Sequence, residues 1–228
     1  MKEAWALAVT DLHDEQQALG FLEEFLENDR DRKAGARIEL VLLCGDLTTR
    51  GPVAFAEEFF LKLEEWELPW LGIHGNMDPQ EVRLEMEMRG GWIHGRKEEW
   101  NGFEFAGWGG SSPTPNDTPC EYSEEEIAGG LAGIGITEKT VLVTHAPPYN
   151  TFADLVANDT HIGSISLRRA IEEKKPRAVF CGHAHEAEGT EMLGATKIVK
   201  VGPLMMGRAA LVELNSLKTE FLKTERTW

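Results

Sequence analysis

The chain has 228 residues, 42% of them hydrophobic and 27% charged, with a formal net charge of −16. That length supports one sizeable domain with its own core, and the composition is that of a soluble globular protein. No apolar run reaches the length of a bilayer span, and the acidic balance argues against a general nucleic-acid or anionic-membrane surface, since both reward positive patches.

Met1 to Thr10 is mildly apolar and has no cleavage-site pattern, so it reads as a first strand, Trp5 to Val9, and not as a signal peptide. Glu15 to Leu26 carries apolar residues at Leu19, Leu22, Phe25 and Leu26, a helical spacing, with Asp14 as the expected N-cap. Ile38 to Cys44 is a strand that ends in Gly45-Asp46. A helix follows with Pro52 near its first turn and Phe55, Phe59 and Leu63 on one face. Trp70 to His74 is the next strand, and Glu81 to Met88 the next helix. This strand–helix alternation marks an α/β domain with a parallel sheet.

The pattern then changes. Trp92-Ile93-His94, Glu99-Trp100 and Phe103-Glu104-Phe105 are short and β-like, with Asn101-Gly102 as a hairpin turn. Gly109 to Pro119 is a loop. Ser123 caps a helix, with Glu126 in the capping-box position. Thr140 to Thr144 is a buried strand ending in His145, and Tyr149 to Gly163 is a long irregular connection. Ser164 to Glu173 is a helix. Val179-Phe180-Cys181 forms a strand that stops at Gly182-His183-Ala184-His185. Thr190 to Trp228 reads as three or four β-segments, with turns near Gly194 and Asn215-Ser216. No repeat or linker interrupts residues 1–228, so the expectation is a single domain. Its C-terminal β-half packs on an N-terminal α/β-half, placing two sheets face to face.

Three cysteines, Cys44, Cys120 and Cys181, lie far apart in the chain. That argues against a disulfide framework and fits a reducing cytoplasm. Small buried residues are the simpler reading of all three than metal ligands.

The chemistry-bearing residues stand at strand ends: Asp11-X-His13, Gly45-Asp46, Gly75-Asn76, His145 and Gly182-His183-X-His185. Each motif alone is weak, and a lone His-X-His is as readily a pair of surface histidines. In open α/β sheets, however, the carboxyl ends of the strands share one edge, so the seven side chains can converge. Imidazole, carboxylate and one amide oxygen suit Mn²⁺, Fe²⁺ or Zn²⁺ better than Ca²⁺. Seven ligands exceed one tetrahedral site and suggest two ions with a bridging carboxylate.

This ordered set resembles the calcineurin-like metallophosphoesterase superfamily, in particular its small Icc-like phosphoesterases. Thr144-His145-Ala146-Pro147-Pro148, His161-Ile162-Gly163-Ser164 and Cys181-Gly182-His183-Ala184-His185-Glu186 carry the likeness to that branch. The resemblance implies an α/β fold with two mixed β-sheets face to face, flanked by helices in four αββα layers. It further implies that Asp11, His13 and His185 bind one metal, that Asn76, His145 and His183 bind the second, and that Asp46 bridges them. Asn76 then belongs to the catalytic centre. A hydroxide held between the two divalent ions would attack phosphorus in line.

The third motif usually reads Gly-Asn-His-Asp, whose His serves as acid or transition-state stabiliser. Met77 stands there instead and has no proton to give. Asp78 is then expected to cap the helix that starts at Pro79. His161, in the long loop, is the candidate to contact substrate or leaving group, and a locally packed loop histidine is the alternative. Gly110 and Ser111, within Gly109 to Pro113, could cradle phosphate with their amides. His74, at a strand end before Gly75, reads as a support behind the ligands or as core, and His94 reads as structural. The expected function is a metal-dependent phosphodiesterase acting on a small soluble phosphoester. A family member retained as a metal-containing binding module or scaffold is the alternative.

Overall fold

The computed structural model of the protein describes residues 3–30 and 38–224. The β-character expected of residues 225–228 lies outside them. β1 (Trp5–Val9) leads to α1 (Gln16–Arg30), β2 (Ile38–Cys44) to α2 (Val53–Glu65), and β3 (Trp70–Ile73) to α3 (Gln80–Met88). β4 (Lys97–Trp100) and β5 (Phe103–Trp108) form a hairpin. Asn101 and Gly102 turn it with φ of 53° and 83°, the left-handed pair that a two-residue turn of matching twist requires.

Next come α4 (Glu124–Gly133), β6 (Thr140–Thr144), β7 (Leu155–Val156), β8 (Thr160–His161), α5 (Ile165–Lys174) and β9 (Ala178–Cys181). The Ser123 hydroxyl accepts from Glu126 N while Glu126 Oε2 accepts from Ser123 N, closing the capping box on α4. Ser164 caps α5 through its hydroxyl, which accepts from Leu167 N. The tail supplies β10 (Gly189–Leu193), β11 (Thr196–Lys200), β12 (Arg208–Glu213) and β13 (Lys218–Lys223).

Two mixed sheets result, in the orders β13-β12-β1-β2-β3 and β10-β11-β9-β6-β5-β4. In the first, β1, β2 and β3 are parallel and β12 and β13 antiparallel additions. In the second, β5, β6, β9 and β11 are parallel, with β4 and β10 antiparallel at the edges.

Strand alternation builds three cores. Leu7, Val9, Val41, Leu43 and Leu211 point outward onto α1, α2 and α3. Their neighbours Ala6, Ala8, Leu40, Leu42 and Val212 point inward and meet Val141, Val143, Phe180 and Val199 of the second sheet. Leu142, Val179 and Ile198 point out the far side onto α4 and α5. This is the four-layer αββα arrangement, and each fully buried Val, Leu or Phe contributes roughly 1.5–3 kcal/mol to it.

The sheets do not divide the chain as expected. The C-terminal strands separate, β12 and β13 extending the first sheet while β10 and β11 extend the second. The reason is pairing. β1 has a free edge that β12 covers in antiparallel register, and β9 has one that β11 covers in parallel. Two local expectations take a different form. Trp92 to His94 makes only single bridges, Gly72 to Trp92 and His94 to Gly107, and is no strand. The 149–163 connection folds back as the small β7–β8 hairpin.

Candidate metal centre

Because β1, β2 and β3 run parallel in one sheet and β6 and β9 run parallel in the other, their carboxyl-terminal loops gather at one edge of the sandwich. These loops carry all seven residues singled out above. Their backbones are strained. Asp11, His13, Asp46 and His183 all have positive φ, from 51° to 72°. Such conformations cost about 1–3 kcal/mol each and persist only when their surroundings over-determine them. Here Asp11 N donates to Gly45 O (3.0 Å), and Leu12 N and His13 N both donate to Asp46 O (2.8 and 3.2 Å), so the two loops hold each other.

The glycines before the ligands serve close approach as much as turning. A Cβ on Gly75 would stand 1.9 Å from Asp46 Oδ1, and one on Gly182 would stand 2.0 Å from Thr10 Oγ1. Gly45, at φ 93°, would collide with Gly75 N at 2.6 Å.

The donors form two groups. Asp11, His13 and His185 make one, and Asp46, His145 and His183 the other, each with ligand atoms within 4.8 Å of one another. In the first, His185 Nε2 lies 3.2 Å from Asp11 Oδ1 and 3.4 Å from His13 Nε2. In the second, His145 Nε2 lies 3.2 Å from both Asp46 Oδ2 and His183 Nδ1. Asn76 Oδ1 joins it, 2.9 Å from His145 Nε2. Asp46 Oδ2 is also 3.7 Å from His13 Nε2 in the first group, so one carboxylate stands between the two.

Ring orientation is fixed from behind. His145 Nδ1 donates to Cys44 O at 2.8 Å, which turns its Nε2 toward the group. His13 Nδ1 meets Thr49 Oγ1 at 3.0 Å. Thr10 Oγ1 donates to Asp11 Oδ2 at 2.8 Å, and His183 N reaches the same oxygen at 3.1 Å. Thr10 and Thr49 are not legible as functional from the sequence, because a hydroxyl beside a motif carries no signal of its own.

The electrostatics ask for cations. Asp11 is fully buried and Asp46 is 2% exposed, yet among the described residues their ion-pair partners are all histidines. Burial opposes charge on the His145 ring, but the Asp46 and Asp11 carboxylates outweigh it and raise it to about 9. Burial and the neighbouring His145 charge push His183 down to about 4. Burying two carboxylates is tolerable only against positive charge, and N/O donors in this geometry fit divalent ions of intermediate softness. Burial also pushes the Cys181 thiol up to about 12 and the Cys44 thiol well above its usual range, and neither belongs to the two donor groups.

Residues 49–224 match the family described as metallophosphoesterase, calcineurin superfamily. The chain belongs to this superfamily. An uncharacterized protein of Methanocaldococcus jannaschii, MJ1162, is 36% identical over 170 residues, covering 72% of this chain and 78% of its own. The crystal structure of TT1561 from Thermus thermophilus shares the fold at 20% identity, with a TM-score of 0.76 over 97% of this chain and 99% of that one. A dimetal phosphatase from Danio rerio does so at 8% identity, with a TM-score of 0.60 over 96% and 98%. Asp11, His13 and Asp46 precede the matched residues, and it is the fold that brings them to Asn76, His145, His183 and His185.

In this metallophosphoesterase, Met77 donates its amide to Asp46 Oδ1 at 2.8 Å and so holds the carboxylate by main chain alone. Asp78 does not cap α3, whose N-cap is Pro79 with no side-chain bond. It is buried one residue too early and accepts instead from Gly75 N, Leu47 N, Thr48 N and Thr48 Oγ1. Asp14 likewise does not cap α1. At φ 50° it is a turn residue, and its carboxylate accepts from Thr49 N at 2.5 Å.

The phosphate cradle expected of Gly110 and Ser111 is closed. Gly110 N donates to His74 O (3.0 Å) and Ser111 N to Cys120 O (3.3 Å), so neither amide is free for an anion. His74 accepts from Trp92 Nε1 (3.1 Å) and its ring packs 4.7 Å from that of His94, within a cluster that includes Trp108 and Tyr122. Both rings are packed into this cluster, and His94 Nδ1 accepts from Gly109 N at 2.9 Å. His161 Nδ1 pairs with the buried Asp154 Oδ1 at 2.7 Å, and its ring meets Tyr149 edge-on at 5.8 Å. No helix among the described residues is long and apolar enough to cross a membrane.

Proposed function

We propose that the protein is a dinuclear metal-dependent phosphodiesterase acting on a small soluble phosphoester in the cytoplasm. The position of Asp46 carries this reading. Its Oδ2 lies 3.7 Å from His13 Nε2 and 3.2 Å from His145 Nε2, where one carboxylate can bridge two cations. Asp11, His13 and His185 would hold one cation, and Asn76, His145 and His183 the other. Two ions of the Mn²⁺, Fe²⁺ or Zn²⁺ class would make a nucleophile available from water near neutral pH and neutralise charge on the phosphoryl oxygens.

The chain's own residues supply the rest. Backbone strain and crossed hydrogen bonds hold the donors in place before any ligand arrives, so little reorganisation remains at the moment of reaction. His161 takes the place of the acid that Met77 cannot be. Asp154 orients its ring through Nδ1, which leaves Nε2 to hold or release a proton toward the leaving group. The net charge of −16 disfavours polyanionic substrates and supports a small ester. Three buried free thiols, Cys44, Cys120 and Cys181, support a reducing compartment.

Met77 also favours a second reading, a metal-containing binding module with weak or no turnover. The deciding experiment is hydrolysis of a chromogenic phosphodiester and its monoester after metal depletion and return of Mn²⁺, with His183→Ala as control. Metal-restored diester cleavage that the variant lacks supports the enzyme. Two bound ions without turnover of either ester supports the module.

A further inference from the structure

We propose that Thr118 is the positioning residue that decides which end of the Asn76 amide faces the metal centre, and that Glu121 fixes Thr118 in turn. The inference rests on the dinuclear reading above and adds to it a determinant outside the ligand set.

The polarity of the hydrogen bonds makes the argument. A carboxylate only accepts, and a hydroxyl has one proton to donate. Thr118 Oγ1 donates that proton to Glu121 Oε1 at 2.6 Å. The same carboxylate oxygen takes Thr118 N at 2.9 Å and Thr114 Oγ1 at 2.6 Å, so the hydroxyl proton has a fixed destination. Thr118 Oγ1 can therefore only accept from its other neighbour, and that neighbour is Asn76 Nδ2 at 3.0 Å. The amide NH₂ is committed to Thr118, and Oδ1 is turned to the opposite side, 2.9 Å from His145 Nε2.

An amide nitrogen has no lone pair for a cation, so the reversed amide would remove a ligand and aim N–H dipoles at the ion. The main chain supports the same arrangement, since Cys120 N donates to Asn76 O at 3.0 Å. Asn76 and Thr118 are both buried, at 4% and 8% exposure, which leaves water little access to take over the hydroxyl's part. Burial opposes charge on Glu121, but the Thr114 and Thr118 bonds overcome it and hold its pKa at about 2, so the acceptor stays ionised.

The test is Mn²⁺ titration of the metal-depleted protein by calorimetry, with electron paramagnetic resonance of the bound ions, for wild type, Thr118→Val and Thr118→Ser. Valine keeps the shape and deletes the hydroxyl, and serine restores it. Removing such an orienting group costs about 10–100-fold in metal affinity. The expected result is that Thr118→Val keeps one Mn²⁺ at wild-type affinity and weakens the other by that factor, loses the spin-coupled signal at limiting metal, and that Thr118→Ser recovers both. Thr118→Val with both wild-type affinities would overturn the proposal. So would equal weakening of both sites in the two variants, which would make Thr118 a loop-folding residue. A wild type that binds no second ion would instead overturn the dinuclear reading itself.

Discussion

Both the amide and the hydroxyl of Thr48 end on Oδ1 of Asp78, at 2.8 and 3.2 Å. The other carboxylate oxygen takes Gly75 N at 2.8 Å and Leu47 N at 3.2 Å. Asp78 thus ties the loop after β2, which carries Asp46, to the loop after β3, which carries Asn76.

Asp78→Ala leaves three buried backbone amides without an acceptor. Each orphaned donor costs about 1–3 kcal/mol, so chemical denaturation should show a loss of more than about 3 kcal/mol. A loss below about 1 kcal/mol would mean that other acceptors already serve these amides.

Gly75→Ala should empty the bridging position. The added Cβ would stand 1.9 Å from Asp46 Oδ1 and 2.4 Å from Asp46 N, too close for any side-chain adjustment alone to relieve. Metal analysis of the purified variant should show less than the wild-type content, while circular dichroism shows the fold retained. Gly129→Ala is the counterpart. Nothing lies within 4 Å of its added Cβ, and it sits inside α4. That change should stabilise the protein by about 0.5–1 kcal/mol. An unchanged metal content in Gly75→Ala would refute the close-approach argument.

Stability should decline in mild acid. Burial, with the charge of Arg83, lowers His94 from 6.5 to about 4. Between those values the unfolded chain binds a proton that the folded chain refuses. The stabilisation is therefore complete above pH 6.5 and is lost as pH falls toward 4. Between about pH 7 and about pH 5 this one ring should account for about 2 kcal/mol. Denaturation of His94→Gln across that range should show a flatter slope, and a slope equal to wild type would assign the effect elsewhere.

His161→Gln should separate substrates by leaving group. If His161 delivers the proton, esters of poorly acidic alcohols should lose about 10²-fold or more in kcat, while nitrophenyl esters, whose leaving group needs no proton, should change little. Equal rates on an alkyl ester would remove His161 from the reaction and leave it as the partner of Asp154.

Much of the site is readable because metal ligation restricts residue type. Asp11, His13, Asp46, Asn76, His145, His183 and His185 can be picked out as donors at the ends of apolar runs, and parallel strands oblige such ends to meet at one edge. The capping box at Ser123 and the Asn101-Gly102 turn are readable for a similar reason, since each is a local hydrogen-bond or φ requirement met within four residues. The same local logic misreads Asp14 and Asp78. Both look like helix caps, but each carboxylate bonds to backbone thirty or more residues away, Asp14 to Thr49 and Asp78 to Thr48. Gly110 and Ser111 look available only because the carbonyls that occupy their amides, on His74 and Cys120, are brought there by other segments.

The candidate donors, the strand–helix alternation and the acidic, thiol-containing character of the chain can be read from the residues alone, because these depend on residue type and on spacing within one element. How β10 to β13 divide between the two sheets, which oxygen of Asp46 stands between the two histidine groups, and which end of Asn76 faces them all come from the packing of distant segments. Those outcomes depend on edge pairing and on hydrogen-bond polarity between residues as distant as Asn76 and Thr118, 42 positions apart. No local periodicity records such a pairing, because a side chain's donor or acceptor face acquires meaning only from the partner that folding brings to it.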